Sequence, residues 1–303
     1  MIEFSQNLIA IEYECILDNS SRTRNRKKNL NTLKSAIRNA GGDSSAPRFE
    51  LFLQPKFLCK RNGANISCRL IGAEELIRLR HPDIGLMMPD DFFSLAKNSG
   101  LTKAIDFWVR DSIVLLACEL KESYNLPSDF DLSINVEPEQ IASDDFTSEL
   151  STIIRQHALD NLISIEILEN WALDKRESRN VNDRLGDLSR HTRIFIDDFG
   201  TGTTKIDYLA HIEGLSGIKI DMALIRKIGT KRQDRIVSLI GGIANLASTH
   251  RIDVIAEGVE HDEQLNVLLD LGINKFQGFH EKLGRPMPIE DFKKKLLSRF
   301  KKV

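Results

Sequence analysis

No apolar stretch in this 303-residue chain approaches the ~18–20 residues that a membrane helix needs, so a helical membrane span is excluded. The segment from Met1 to Asp18 carries Glu3, Glu12 and Glu14 and no basic start, so a signal peptide is not expected. Cysteine is scarce, at four residues. Cys15, Cys59, Cys68 and Cys118 have no CxxC spacing and no accompanying histidine pattern, so they are expected to be buried free thiols. That reading places the protein in the reducing cytoplasm. Neither sign of charge dominates: 42 Lys+Arg against 44 Asp+Glu leave a formal net charge of -2. A strongly basic nucleic-acid binder is not suggested, nor is an acidic solvating protein. Internal repeats and low-complexity segments are also lacking.

What is present is a soluble globular composition, 41% hydrophobic and 28% charged. A short basic run, Arg22 to Lys28, reads as a solvated surface or linker, and no DNA partner is expected. Asn31 to Ala40 reads as a short helix with Leu33, Ala36, Ile37 and Ala40 on one face. The turn-rich stretch Gly41 to Pro47 then marks a boundary. The expected organisation is an N-terminal extension over residues 1–46 and one large domain over 47–303.

Within that domain, short apolar runs alternate with helical patterns. The predicted strands are Phe49–Leu53, Cys68–Leu76, Leu132–Val136, Ile163–Ile167, Arg193–Asp197, Gly217–Ile220, Asp253–Ala256 and Lys275–Gln277. Ile105–Leu120, Arg235–Ala247 and Asp262–Leu271 are among the predicted helices. Apolar strands between helices imply a parallel sheet covered on both faces. Eight such strands fit an α/β (β/α)8 TIM-like barrel. A doubly wound open sheet is the alternative, but no Gly-rich phosphate loop follows an early strand.

The informative residues terminate these strands. Asn135 closes LSIN, Glu166 closes ISIE, Asp197 and Asp198 close IFIDD, and Lys219 lies in GIKID. Glu257 closes VIAE, Gln277 ends KFQ, and Glu74 lies in the second strand. Successive steps from Asn135 to Gln277 are 31, 31, 22, 38 and 20 residues, each about one βα unit. In a parallel barrel these ends share the face where active sites sit. An Asp after a strand is often only the N-cap of the next helix, and for any one position that reading competes. Five positions in register are harder to explain that way. So many carboxylates in one mouth raise one another's pKa and call for compensation. Divalent cations supply it, and an all-oxygen donor set selects Mg2+ or Mn2+ over Zn2+. Two adjacent Asp residues suit two ions, an arrangement that hydrolyses phosphodiesters.

At these residues the sequence resembles the EAL-domain family, bacterial phosphodiesterases of cyclic di-GMP. The resemblance runs from about Phe49 to Phe292. It is carried by LFLQPKF at 51–57, GAEELIRLRHP at 72–82, LSINVEP at 132–138, SIEILEN at 164–170, IDDFGTG at 196–202, GIKID at 217–221, VIAEGVE at 254–260 and KFQGF at 275–279. It implies that Glu74, Asn135, Glu166 and Asp197 ligate one metal ion, and that Asp197 bridges to a second near Asp198 and a water-linked Glu257. Lys219 would hold and help deprotonate the attacking water, making Lys219, Glu74 and Glu257 the catalytic set. Gln54, Arg78 and Gln277 would meet the dinucleotide, Arg78 at a phosphate. Glu169 and Glu260 would stand one layer behind the ligands, with Glu169 anchoring the loop after the double Asp. The implied reaction opens cyclic di-GMP to linear 5'-pGpG with two Mg2+ or Mn2+ ions, with Ca2+ expected to inhibit. A homodimer through the barrel is implied as well.

Some positions depart from the family. Glu75 stands where Ala is usual, and neighbouring strand residues face opposite sides, so Glu75 is expected toward the helix layer with a partner or an exposed rim. Thr203, Thr204 and Lys205 replace an aromatic and two serines, and Leu79 replaces a common Trp. The stretch after Gln277 is two residues longer, with His280 expected as a surface loop residue. The rival reading is therefore an impaired domain that binds cyclic di-GMP or docks on a protein without turnover. The C-terminal stripe Ile289, Phe292, Leu296 and Phe300, with lysines around it, is expected to close the barrel base rather than bind a membrane surface.

Overall fold

The computed structural model describes residues 24–39, 45–168, 177–200, 212–231 and 233–302. In chain order the elements are α1 (Arg24–Arg38), β1 (Arg48–Asn62), β2 (Asn65–His81), β3 (Gly85–Met87), α2 (Pro89–Asn98), α3 (Thr102–Ser123), β4 (Asp131–Asn135), α4 (Pro138–Ile141), α5 (Asp144–Gln156) and β5 (Ile163–Leu168). They continue with α6 (Glu177–Leu188), β6 (Arg193–Phe199), β7 (Leu215–Ile220), α7 (Met222–Ile225), α8 (Gln233–His250), β8 (Asp253–Ala256), α9 (Asp262–Asp270), β9 (Lys275–Phe276), β10 (Met287–Pro288) and α10 (Ile289–Leu297). The chain divides into two units, one within Met1–Phe52 and Leu76–Ser112, the other Leu53–Glu75 with Ile113–Val303.

The larger unit holds an eight-stranded closed barrel. Its ring runs β1, β9, β8, β7, β6, β5, β4, β2 and back to β1. The apolar strands conceal a two-residue alternation. In β5, Ile163, Ile165 and Ile167 are at most 1% exposed and make one face, while Ser164 and Glu166, equally buried, make the other. β4 alternates likewise, with Leu132 and Ile134 against buried Ser133 and the exposed Asn135 at its end, and β7 with Ile218 and Ile220 against Lys219. Strands buried on both faces read as continuous apolar runs, so only the polar interruptions reveal which side is the lumen.

The barrel departs from the expected all-parallel ring. β2 pairs with β4 in parallel, but β1 pairs with β9 antiparallel, so β1 runs against the other staves. The cause is local. β1 and β2 are joined by the turn Gly63–Ala64, where Gly63 takes φ +63°, a backbone that favours glycine. No crossover helix intervenes, so the second strand must return antiparallel.

The same hairpin corrects the reading of the cysteines. Cys59 and Cys68 form a disulfide across it, with Cα atoms 4.1 Å apart. The predicted strands ended at Leu53 and began at Cys68, so the two positions were not seen to oppose each other. Cys118 is free and half-buried, while Cys15 lies outside the described residues.

Helix α10 is amphipathic and packs as expected. Phe292 and Leu296 are fully buried, Phe300 meets Phe130 edge-to-face at 6.1 Å, and Lys293 pairs with Glu119 at 2.7 Å. Phe292→Ala should cost ~3–5 kcal/mol, read as a lower urea midpoint at unchanged slope. Among the described residues no helix is long and apolar enough to cross a membrane.

In the smaller unit α1 packs against α2 and buries Leu33, Ala36 and Ile37. Its core is aromatic: Phe49 lies 5.9 Å from Phe92 and 5.3 Å from Trp108, ring centre to ring centre.

Candidate metal centre

Seven strands deliver the site. The parallel register places Glu74 opposite Ser133, Asn135 opposite Glu166, Leu168 opposite Asp197, Lys219 opposite Ile255 and Ala256 opposite Phe276. Asn135 and Glu166 are direct partners, the other polar residues lie within about two positions of their neighbours along the ladders, and all of them converge at one end of the barrel.

Lys219 is the hub. It is fully buried, and its Nζ lies 3.1 Å from Glu74 Oε2, 2.5 Å from Glu166 Oε2, 3.0 Å from Asp197 Oδ1 and 2.7 Å from Glu257 Oε1. Burial alone would lower its pKa. The charges of Asp197, Glu166, Glu257 and Glu74 outweigh that and hold it well above the ordinary lysine value. One ammonium is thus shared among four carboxylates, and Glu166 has Lys56 as a second cation.

The carboxylates are pushed apart in their chemistry. Burial acts to raise Glu166, but Lys219 and then Lys56 outweigh it, and its pKa settles at about 2. Asp197 is pushed up to about 7 by burial, with the charges of Glu166, Glu74 and Asp198 adding to it against Lys219. Glu257 is driven well above the ordinary carboxylate value by burial, and Asp197 and Glu74 add to this. Asp198 is raised by burial and by Asp221.

Two groups of three carboxylates could each hold an ion: Glu74, Glu166 and Asp197 in one, Asp197, Asp198 and Glu257 in the other. Within each, one oxygen per residue lies within 4.8 Å of the others. Asp197 belongs to both. β6 is irregular at this point, with Asp198 at φ +54° and its N–H donating to Asp197 Oδ1 at 2.9 Å. The donors are all oxygen, burial and mutual repulsion raise Asp197, Asp198 and Glu257 for want of compensating charge, and the buried Gln277 Oε1 has no hydrogen-bond partner. These features fit hard divalent cations.

Asn135 and Gln277 complete the ring around Glu74. Asn135 Nδ2 donates to Glu74 Oε1 at 3.1 Å and Gln277 Nε2 to Glu74 Oε2 at 2.6 Å. Glu75 is 3% exposed, and its carbonyl accepts from Asn135 Nδ2 at 3.4 Å, so the exposed rim weighed for it is ruled out. Gln54 lies part-buried on β1. Arg78 belongs to the smaller unit, where it donates to Ile77 O at 2.8 Å and lies 5.5 Å from the Phe52 ring. Glu260 pairs with Arg226 at 3.3 Å. Glu169 and the segment Thr203 to Lys205 lie outside the described residues. His280 is no surface residue: it is 3% exposed, its Nε2 is 3.1 Å from Asp262 Oδ1, and its Nδ1 accepts from the Lys282 N–H. Gly278 and Gly284 bridge the base of the two-residue extension.

Sequence reading passed over three residues here. Lys56, Asp131 and Asp221 sit beside the cluster, and Asp221 also caps α7 through Ala223 N at 2.7 Å. Lys56 had a signal available, since it lies two residues after Gln54 and so shares its strand face.

Comparison with known proteins accords with this geometry. An uncharacterized protein of Mycobacterium tuberculosis is 35% identical over 235 residues, 76% of this chain and 36% of that protein. The cyclic di-GMP phosphodiesterase RocR of Pseudomonas aeruginosa is 30% identical over 246 residues, 80% of this chain and 59% of RocR. Among solved structures, the MucR phosphodiesterase of Pseudomonas aeruginosa, in complex with c-di-GMP, superposes with a TM-score of 0.73 at 29% identity, covering 88% of this chain and 99% of that one. The chain spans about a third of the length of the curated relatives matched first, 36% for the mycobacterial protein and 33% for full-length MucR. The EAL domain model matches residues 34–282. With that match spanning the strand ends that build the cluster, the chain belongs to the EAL domain family.

Proposed function

We propose that this chain hydrolyses cyclic di-GMP to linear 5'-pGpG. The observation that carries the reading is the pair of carboxylate groups sharing Asp197, with Lys219 between them. Glu74, Asn135, Glu166 and Asp197 would hold one Mg2+ or Mn2+, and Asp197, Asp198 and Glu257 a second. When bound, such ions lower the pKa of water and offset charge on the entering and leaving oxygens. The chain's own residues do the rest. Lys219 Nζ donates to the attacking water and orients it. Gln277, held through its Nε2 to Glu74, keeps an Oε1 without a hydrogen-bond partner that can accept from the attacking water. Gln54 and Arg78 contact the dinucleotide, Arg78 through a planar fork suited to phosphate oxygens. Glu169 and Glu260 support the loops behind the ligands.

A homodimer, a cytoplasmic location, and the division into an extension over 1–46 and a catalytic domain over 47–303 belong to the same proposal. The Cys59–Cys68 bridge is the observation set against the cytoplasmic part.

The test is release of pGpG by the purified chain. Turnover is expected with Mg2+ or Mn2+, none after EDTA, and recovery on adding metal back. Ca2+ should support dinucleotide binding without turnover. If the wild type binds cyclic di-GMP with Mn2+ present and releases no pGpG, the chain is a receptor and the enzyme reading fails.

A further inference from the structure

Lys56 is the second fully buried lysine of the barrel, and the reading above gives it no task. It is 1% exposed. Its Nζ lies 3.0 Å from Glu166 Oε1 and 3.1 Å from Asp131 Oδ2. Asp131 accepts a further hydrogen bond from Ser164 Oγ, and the Lys56 ammonium stands 5.7 Å from the centre of the Phe195 ring. Partners from β4, β5 and β6 therefore hold the lysine head in one place.

Glu166 is gripped at both ends: Oε1 by Lys56, Oε2 by Lys219. The two grips differ in kind. Lys219 is shared among four carboxylates, so its position is a compromise and does not specify the rotation of any one of them. Lys56 serves only Glu166 and Asp131 among the ion pairs of the described residues. A carboxylate that must present a set edge to a cation needs its other edge tied down, and such outer partners govern affinity.

We propose that Lys56 is a positioning residue of the metal centre: by holding Glu166 Oε1 it fixes the carboxylate edge turned toward Glu74 and Asp197. This rests on the metal-dependent reading above. Positioning and charge make opposite predictions. Removing a cation beside an acidic cluster would, by Coulomb's law alone, strengthen attraction for a divalent ion. Loss of positioning weakens it.

The test uses the full chain stripped of metal and titrated with MnCl2 alone by calorimetry. Lys56→Met is expected to bind Mn2+ ~10- to 100-fold more weakly than wild type. In turnover assays its kcat should fall while KM for the dinucleotide moves little. Asp131→Asn, which keeps an acceptor for Lys56 and leaves the Glu166 contact intact, should bind Mn2+ near the wild-type level. Unchanged or tighter binding by Lys56→Met overturns the proposal, as does equal weakening in both variants, which would mark a purely structural pair. Should Lys56→Met fail to fold, the double variant with Asp131→Asn removes the stranded charge. Weak Mn2+ binding by it then supports the proposal, and wild-type binding overturns it. A wild type that binds no Mn2+ overturns the proposed function as well, so the two failures are separable.

Discussion

Asp197→Asn is expected to lose at least ~1,000-fold in turnover with KM for the dinucleotide less affected, the largest effect of any single substitution here. A metal's stabilisation of transition-state charge is worth several kcal/mol, and each 1.36 kcal/mol is tenfold in rate. Other carboxylates of the cluster serve one group of three, whereas Asp197 serves both. Its replacement by an amide removes the charge of the one carboxylate common to both groups while keeping its shape. The Asp198 N–H can still donate to the amide oxygen, as it now does to Asp197 Oδ1 at 2.9 Å, so the local backbone should survive. The Tm without metal should therefore change little, while the shift caused by Mn2+ shrinks. A variant that loses its metal response yet turns over normally would refute the shared-corner reading.

Lys219→Met should behave oppositely in stability. Without Lys219, Glu74, Asp197 and Glu257 lose the ammonium within 3.1 Å of each, and Glu166 keeps only Lys56. Breaking a buried charge pair by removing one partner typically costs ~3–5 kcal/mol. The metal-free variant should unfold at distinctly lower urea, and added Mn2+ should restore part of the loss, because the ion takes over the compensation. Turnover should fall ~100- to 1,000-fold even when metal is saturating, the range for removing one preorganised donor from a reacting centre. Normal apo stability would mean that the carboxylates are already protonated without their lysine.

The legibility of this site has a physical basis. Strand ends are punctuated by sequence: an apolar run is interrupted by a polar residue near its end, and in βα units those ends share one face of the barrel. Asn135, Glu166, Asp197, Lys219, Glu257 and Gln277 could be placed from this rule alone. The rule fails for β1, because a reversed strand does not put its last residue at that face. Lys56 therefore looked like an ordinary charge inside LFLQPKF, although it is as buried as Phe57 beside it. The disulfide was illegible for the same reason: Cys59 and Cys68 become neighbours only when both strands extend beyond their most apolar segments. His280 escapes a reading by loop length, because its burial comes from contacts with Asp262 and the Lys282 N–H that spacing does not show.

The reversed strand also bears on how the barrel assembles. On one side β1 meets β2 through a two-residue turn, so that ladder can zip up locally and early. On the other side β1 meets β9 through the register pairs Phe57 with Phe276 and Leu58 with Lys275, joining residues from nearly opposite ends of the chain. A contact of such sequence separation carries a large closure entropy and forms late. The ring thus has a seam, the short β9 ladder, extended by the Cys59 N–H to Asn274 O bond at 2.8 Å. Gln277 directly follows that seam and hydrogen-bonds Glu74 on the far side of it. A cation gathered by Glu74 would thus tie the last-formed joint of the barrel to the first, and amide exchange along β9 should slow when Mn2+ binds.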